Sequence, residues 1–518
     1  MTCVGHGLFF KKHIFFEKKT QNMKIFVKLF TRQQFIFISY SIVMLFPTLD
    51  YLFFLPLVVG LYWTVPRKFR GMVIVIASLL FYGSWSLAYL PLLIGIAVMS
   101  WGLGCWIEDQ QKSGKEISQL VFFGVVFSLF IPLILFKYWD WLGWNINALA
   151  AYTGSETTVP TLDWVLPVGI SFFTFQAVAY VVDVKRKGKA ERKFGRFFAF
   201  IAFFPQLVAG PIVRRNELLP QLKYPPYLAS GMISEGIYRI MKGMGKKLLI
   251  ADVMRSAIVD PTFADPEMYL GIELWVALYA YTLQIYYDFS AYTDIAIGSA
   301  LFFGIRLPEN FNRPYQATSV AEFWRRWHIT LSNWVRDYIY YPLGGARADK
   351  DWKVYRNILI TMVVIGIWHG ASWNFVIYGI LHGSLVGINR LQRKFHGRKP
   401  GDPLPNWWAY TWRFVLTINF VVLCRILFRA PDLESSWMIF SGLFDFYFVL
   451  PRYSPLAMAL LALGYAIHFT PRSWERDLIA DRFQFMWPTT QAVVAACVAA
   501  ICWKMGAGET LSFVYYKF

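Results

Sequence analysis

Charge is scarce in this sequence. Only 16% of its 518 residues are Asp, Glu, Lys or Arg, where a soluble domain carries about a quarter. Carboxylates are the scarcer sign, 32 against 51 Lys and Arg, for a net charge of +19. This excludes a single soluble core, because one core does not grow to absorb the apolar surface of a chain that is 57% hydrophobic. Cysteine is rare too. Cys3, Cys105, Cys424, Cys497 and Cys502 show no CxxC spacing and mostly sit in apolar stretches, so they read as small core residues rather than disulfides or metal ligands. A GxxxxGKS/T phosphate loop, an HExxH pair and a GxSxG elbow are all missing. Their absence argues against ATP-driven transport, metal catalysis and a serine nucleophile. No internal repeat, long linker or soluble domain is evident.

What the chain has instead is a succession of apolar stretches, each near the roughly 20 residues that cross a bilayer as a helix. Its 22 Trp and 29 Tyr suit aromatic belts at the two interfaces. The basic residues fall in short loops between these stretches, which makes them topology signals and contacts for anionic lipid rather than a nucleic-acid surface. Loop charge orients the chain. Arg67-Lys68-Phe69-Arg70, Asp183–Arg196, Arg306–Arg356 and Arg390–Lys399 are rich in Lys and Arg and face inside. The segments Asp140–Asp163 and Asp260–Leu270 contain no Lys or Arg and face outside, as does the C-terminus. Spans are expected near 71–88, 90–107, 118–137, 164–182, 407–428, 453–469 and 488–505. Two apolar pieces interrupted by Gly or Pro, 197–213 and 292–305, are expected to be re-entrant and to line a cavity. Residues 1–43 mix Lys pairs with Phe and Ile but lack a signal-peptide cleavage site. They read as a non-native or disordered extension ahead of a start at Met44, with an amphipathic anchor as the alternative. Residues 44–518 form one transmembrane domain.

Between Arg356 and Arg390 lies one apolar run without Asp, Glu, Lys or Arg. Both flanks face inside, so the run enters the bilayer and returns. Its middle reads Gly366-Ile367-Trp368-His369-Gly370-Ala371-Ser372-Trp373. At about 1.5 Å per residue, His369 lies on the order of 20 Å beyond Arg356, near the bend. A titratable ring at that depth is costly unless it meets a cavity or a partner, and imidazole is the side chain suited to exchanging a proton near neutral pH. The bland alternative is a core histidine donating one helix–helix hydrogen bond. His382 on the returning pass carries the same two readings. His328, in Glu322-Phe323-Trp324-Arg325-Arg326-Trp327-His328, has charged neighbours that suggest an interfacial amphipathic stretch. Asp288 and Asp294 end a long apolar span and are either functional carboxylates or members of a cap or ion pair. Arg313, Arg325, Arg326 and Arg336 are either phosphate contacts or ordinary inside-facing charges.

Four stretches resemble the membrane-bound O-acyltransferase (MBOAT) family, in the bacterial branch that serves alginate O-acetylation. They are MLFPTLDYLFFLPLVVGLYW from Met44, Phe203–Arg214, Tyr286–Gly345 and Ile367–Gly383, and the tail SFVYYKF adds to them. The resemblance implies an all-α polytopic membrane protein of the bacterial inner membrane, a ring of roughly 11 transmembrane helices with re-entrant and amphipathic helices around a central tunnel. It implies His369 as the catalytic histidine and His328 as the second one. Candidate substrate or donor contacts are Asp288, Asp294, Arg325, Arg326, Trp368, Ser372 and His382. No cofactor or metal is implied. The donor would be acetyl-CoA, and the partners an extracytoplasmic acetyltransferase and a polysaccharide synthesis and export complex. The acetyl group would cross to an envelope polysaccharide such as alginate, with peptidoglycan, cellulose or teichoic acid as alternatives. A transporter or flippase and an assembly scaffold are the rival classes.

Overall fold

The computed structural model describes residues 44, 46, 48–224, 227–399, 401–402, 404–445 and 450–506. The extension at 1–43, Cys3 and the tail SFVYYKF lie outside the described residues. Every regular element among the described residues is helical. The main ones are α1 (Leu49–Thr64), α2 (Arg70–Gly83), α3 (Leu90–Lys112), α4 (Gln119–Leu133), α5 (Trp139–Tyr152), α6 (Ile170–Lys187), α7 (Phe194–Ala202), α8 (Met232–Met244), α9 (Gly271–Leu301), α10 (Asp351–His369), α11 (Trp373–Phe395), α12 (Trp407–Arg429), α13 (Pro455–Phe469) and α14 (Pro488–Gly506).

Three helical stretches are long and apolar enough to cross a bilayer by themselves: Leu87–Lys112, Gln119–Tyr152 and Trp407–Arg429. Their outward faces carry apolar side chains in the open, such as Leu120 at 83% exposed and Phe123 at 67%. Helices that present such faces expect lipid as their solvent. The other expected spans are shorter or more polar. α2 has 14 residues, and α6 buries Gln176 and Asp183 among its apolar side chains. Their polar groups turn into protein, which is where a membrane protein keeps them.

α9 forms the centre. Every residue from Ala280 to Leu301 is buried. Here one expectation fails. The piece 292–305 is not a separate re-entrant segment, because α9 runs unbroken for 31 residues to Leu301. Gly298 is there for packing rather than for a break. A Cβ on it would lie 2.7 Å from the carbonyl oxygen of Gly236 in α8, and a Cβ on Gly236 would lie 2.9 Å from that of Gly298. The two backbones touch at a pair of small residues, as closely packed membrane helices do. The piece 197–213 is interrupted as expected: α7 stops at Ala202, and a single turn, Phe204–Leu207, follows. The freed carbonyl of Phe200 accepts from the side-chain amides of Gln176 at 2.7 Å and Gln206 at 3.0 Å. Broken backbone at this depth needs such donors.

α10 and α11 form the expected hairpin. Their seam is built on glycines. A Cβ at Gly366 would fall 2.1 Å from the carbonyl oxygen of Phe375, and one at Gly379 would fall 2.7 Å from that of Met362. Gly379 and Gly383 stand four apart on one face, the spacing that lets membrane helices approach closely. Replacing Gly366 by Ala should therefore destabilise the fold by about 1–3 kcal/mol, as overpacking does. The control is Gly60→Ala, where nothing lies within 4 Å of the added atom. Thermal unfolding of the two detergent-purified variants checks this, and equal melting temperatures would contradict it.

Candidate active site

α10 ends at His369, inside the protein. The last carbonyls of a helix have no partner within it. Here they are met from the junction of α4 and α5, where the chain widens into a π-turn at Ile134–Tyr138. The Tyr138 hydroxyl donates to Ile367 O at 3.0 Å. Lys137 Nζ donates to Trp368 O at 2.6 Å and His369 O at 3.2 Å. A cation at a helix C-terminus also opposes the negative end of its dipole. Beyond His369 the chain turns extended at Gly370 and re-enters helix at Ser372, the N-cap of α11. Gly370 is required by packing, since a Cβ there would lie 2.1 Å from the Phe375 ring.

The His369 ring is 2% exposed. It sits among aromatic rings, with centroids 5.0 Å from Trp368, 4.9 Å from Phe428 and 6.2 Å from Tyr378. Trp368 in turn stands 5.6 Å from His328. The structure thus brings His369, Trp368 and His328 into one cluster.

His328 is not at the interface, contrary to its amphipathic surroundings. The short helix Val320–Arg326 ends before it, and His328 is wholly buried while Arg325 stays at the surface. Its backbone is left-handed, with φ of 42°, a costly state for a residue with a side chain that persists only when neighbours impose it. Asn310 imposes it. Its Oδ1 accepts from the Thr330 amide at 3.2 Å and the Thr330 hydroxyl at 2.9 Å, and lies 3.0 Å from His328 Nδ1. An oxygen already accepting two bonds is the acceptor in the third, so Nδ1 carries the proton and Nε2 keeps its lone pair. Nε2 has no hydrogen-bond partner among the described residues. Thr330 also accepts from the Ile212 amide at 3.0 Å, which ties the interrupted segment to this loop.

His382 has the opposite tautomer. Its Nδ1 accepts from Trp324 Nε1 at 3.2 Å, so the proton is on Nε2. Its ring lies 4.3 Å from Tyr378 and 5.0 Å from Phe420. Asp288 and Asp294 are held as ion pairs between helices. Lys247 bonds Asp288 at 2.8 Å, and Asp294 is bonded by Arg239 at 2.9 Å and Lys246 at 2.6 Å. Arg336 pairs with Asp337, and Arg313 pairs with Glu475.

Two cavities lie near the cluster, though none of its three residues lines either one. One, of about 510 Å³, is lined by Gly370, Ala371 and Ser372 at the bend, by Phe375 and Phe428 beside His369, and by Lys137, Asp260 and Arg429 among others. These come from segments that the loop charges place outside. The second, of about 530 Å³, lies in the basic segments placed inside. Its wall carries Arg325, Arg326, Arg393, Arg398, Lys399 and Arg413 against Glu322 and Asp402, with Trp407 and Tyr410 beside them. A column of rings, Trp324, His382, Tyr378, His369 and Phe428, leads from Trp324, next in sequence to Arg325 of the basic cavity, to Phe428, which lines the outer one. Successive centroids are 5.5, 4.3, 6.2 and 4.9 Å apart.

An all-helical protein with an imidazole in its interior between a basic and an outer cavity fits a membrane-bound acyltransferase, and the comparisons agree. Residues 172–427 match the membrane-bound O-acyltransferase family. The chain is similar to "Probable alginate O-acetylase AlgI" of Azotobacter vinelandii, with 38% identity over 78% of each chain. It is 36% identical to "Peptidoglycan O-acetyltransferase" of Helicobacter pylori over 71% of this chain and 73% of that one. It is 28% identical to "Teichoic acid D-alanyltransferase" of Bacillus subtilis over 61% of this chain and 79% of that one. The chain belongs to the MBOAT family and is an acyltransferase.

Sequence reasoning passes over Lys137, Tyr138 and Asn310. Lys137 had a signal, since it is a lone cation at the outer end of an apolar span, where inside-facing charge is not expected. Asn310 had none, because its partners stand 18 and 20 residues away. Replacing Asn310 by Ala removes the acceptor of three buried donors. At about 1–3 kcal/mol for each donor left without a partner, it should lower thermal stability more than Asn147→Ala, whose amide serves the part-buried Val159. Unfolding curves of the two variants compare them.

Proposed function

We propose that this chain is a bacterial inner-membrane O-acetyltransferase. It takes an acetyl group from acetyl-CoA on the inner side and delivers it to a hydroxyl of an extracytoplasmic polysaccharide, alginate or a related envelope polymer. The observation that carries this reading is the ring column, which sets His369 between the two cavities. In this reading the full architecture is the family's ring of about eleven crossing helices around a tunnel.

The inner cavity suits the donor. Its Arg side chains present planar forks that match phosphate oxygens, and Trp407 and Tyr410 offer aromatic faces for a base. The outer cavity suits the acceptor, because it reaches the bend at Gly370–Ser372. His369 removes the proton from the acceptor hydroxyl as general base, or first carries the acetyl group itself. Proton transfer of this kind is worth about 10²–10⁴-fold. His328 faces the same cluster with a lone pair on Nε2 and positions His369 or the donor. Phe428 and Phe375 stand between the His369 ring and the outer cavity, so a rotation of one of them admits the acceptor. An extracytoplasmic acetyltransferase and the polysaccharide synthesis and export complex are the proposed partners. The names of the alginate and peptidoglycan relatives support this class of acceptor.

Proteoliposomes given labelled acetyl-CoA should release free CoA and pass label to the polymer. His369→Ala, inserted at wild-type level, should reduce that release by about 10²-fold or more. Full transfer by this variant would end the assignment.

A further inference from the structure

Lys137 does more than cap a helix. Its Nζ donates to Trp368 O and His369 O, and an ammonium has three N–H donors, so one remains. The same side chain lines the outer cavity beside Gly370 and Phe428. Among the described residues Lys137 makes no ion pair. Asp260, the one carboxylate in that wall, is engaged by Arg429 at 2.9 Å and by Arg255 at 3.1 Å. The C-terminal end of a helix carries only about half a negative charge. Half-buried and held at the histidine's own carbonyl, Lys137 lines the outer cavity with no carboxylate against it among the described residues. A lysine in an apolar span without a carboxylate partner is costly and points to a function.

The geometry points to Lys137 as a catalytic residue whose free N–H stabilises the oxyanion formed during acyl transfer. This rests on the acyl-transfer reading above. The acceptor hydroxyl oxygen attacks the thioester carbonyl carbon and its proton passes to His369. The carbonyl electron pair moves onto oxygen, giving an oxyanion that the Lys137 ammonium faces. On collapse the carbonyl re-forms, the carbon–sulfur bond breaks, and the thiolate takes the proton from His369. An ester and a thiol are the products. A pre-placed donor at such an oxygen works at full strength because it need not reorganise during the reaction.

The competing role is a purely mechanical clamp on the bend, and three substitutions separate the two. Lys137→Gln keeps an amide donor for the carbonyls but loses the charge. Lys137→Arg keeps the charge. Tyr138→Phe removes the neighbouring clamp on Ile367 and leaves Lys137 intact. Each is reconstituted as full-length protein with acetyl-CoA as donor and an unacetylated alginate oligosaccharide as acceptor, and thiol release is followed. Lys137→Gln should lower kcat by about 10²–10³-fold, with KM for acetyl-CoA nearly unchanged. Lys137→Arg should recover most of that loss, and Tyr138→Phe should stay within a few-fold of wild type. Lys137→Gln turning over like wild type, or losing no more than Tyr138→Phe, overturns the inference. If Lys137→Gln does not yield folded protein, the arginine variant decides: activity near wild type supports the charge, and loss as deep as that of His369→Ala overturns it. Wild-type protein that releases no thiol overturns the acyl-transfer reading and this inference with it.

Discussion

A helix that stops in the middle of a membrane protein must find hydrogen-bond donors for its last carbonyls, because lipid supplies none. The end of α10 is that place. Tyr138 and Lys137 supply the donors, and the widened turn at Ile134–Tyr138 is the local irregularity that brings both to the same helix end. With those carbonyls met, α10 can end at His369 rather than run through to the far surface, and the chain can double back through α11. The position of the imidazole follows from that termination.

Charge is distributed by the same logic. The centre of the protein keeps its polar groups in closed sets: Lys247 with Asp288 and Asp252, the Asn310 clamp on Thr330 and His328, and the glutamine pair around Phe200. Within each set the charges and most of the hydrogen-bonding groups meet one another, as the low dielectric favours, and His328 Nε2 is left without a partner among the described residues. Basic side chains gather at the cavity that includes Arg325 and Arg413, while Arg425 is kept inside against the Trp327 and Phe428 rings. The ring column joining the two cavities carries no formal charge on its aromatic members, so an imidazole there is the natural group to exchange a proton.

Much of this was readable in the chain. The hairpin could be inferred because both flanks are basic and the run between them has no charge at all, and two parallel constraints of that kind leave only a return pass. Segments assigned to one side, such as those of Lys137, Asp260 and Arg429, meet around one cavity. What escaped was tertiary. A glycine in an apolar stretch signals either a break or a close contact, and at Gly298 the contact with Gly236 won. The charged neighbours of His328 suggested a surface, yet a left-handed backbone turns the ring inward while Arg325 stays out. For Asp288 and Asp294 the sequence left a functional carboxylate and an ion pair both open, and the structure shows ion pairs. Their cations lie in a segment more than 40 residues earlier, which no local pattern reveals.

The glycine seam of α10 and α11 also sets what can move. Where backbone rests on backbone at Gly366 and Gly379, the approach of the two helices is fixed by main-chain atoms that have no rotamers to change, so the seam holds α10 and α11 together as a pair. Any breathing that uncovers the imidazole is left to the flanking rings. Phe428 belongs to α12, outside the hairpin, and packs its ring against His369, Phe375 and Tyr378, so a turn of that ring leaves the glycine seam intact.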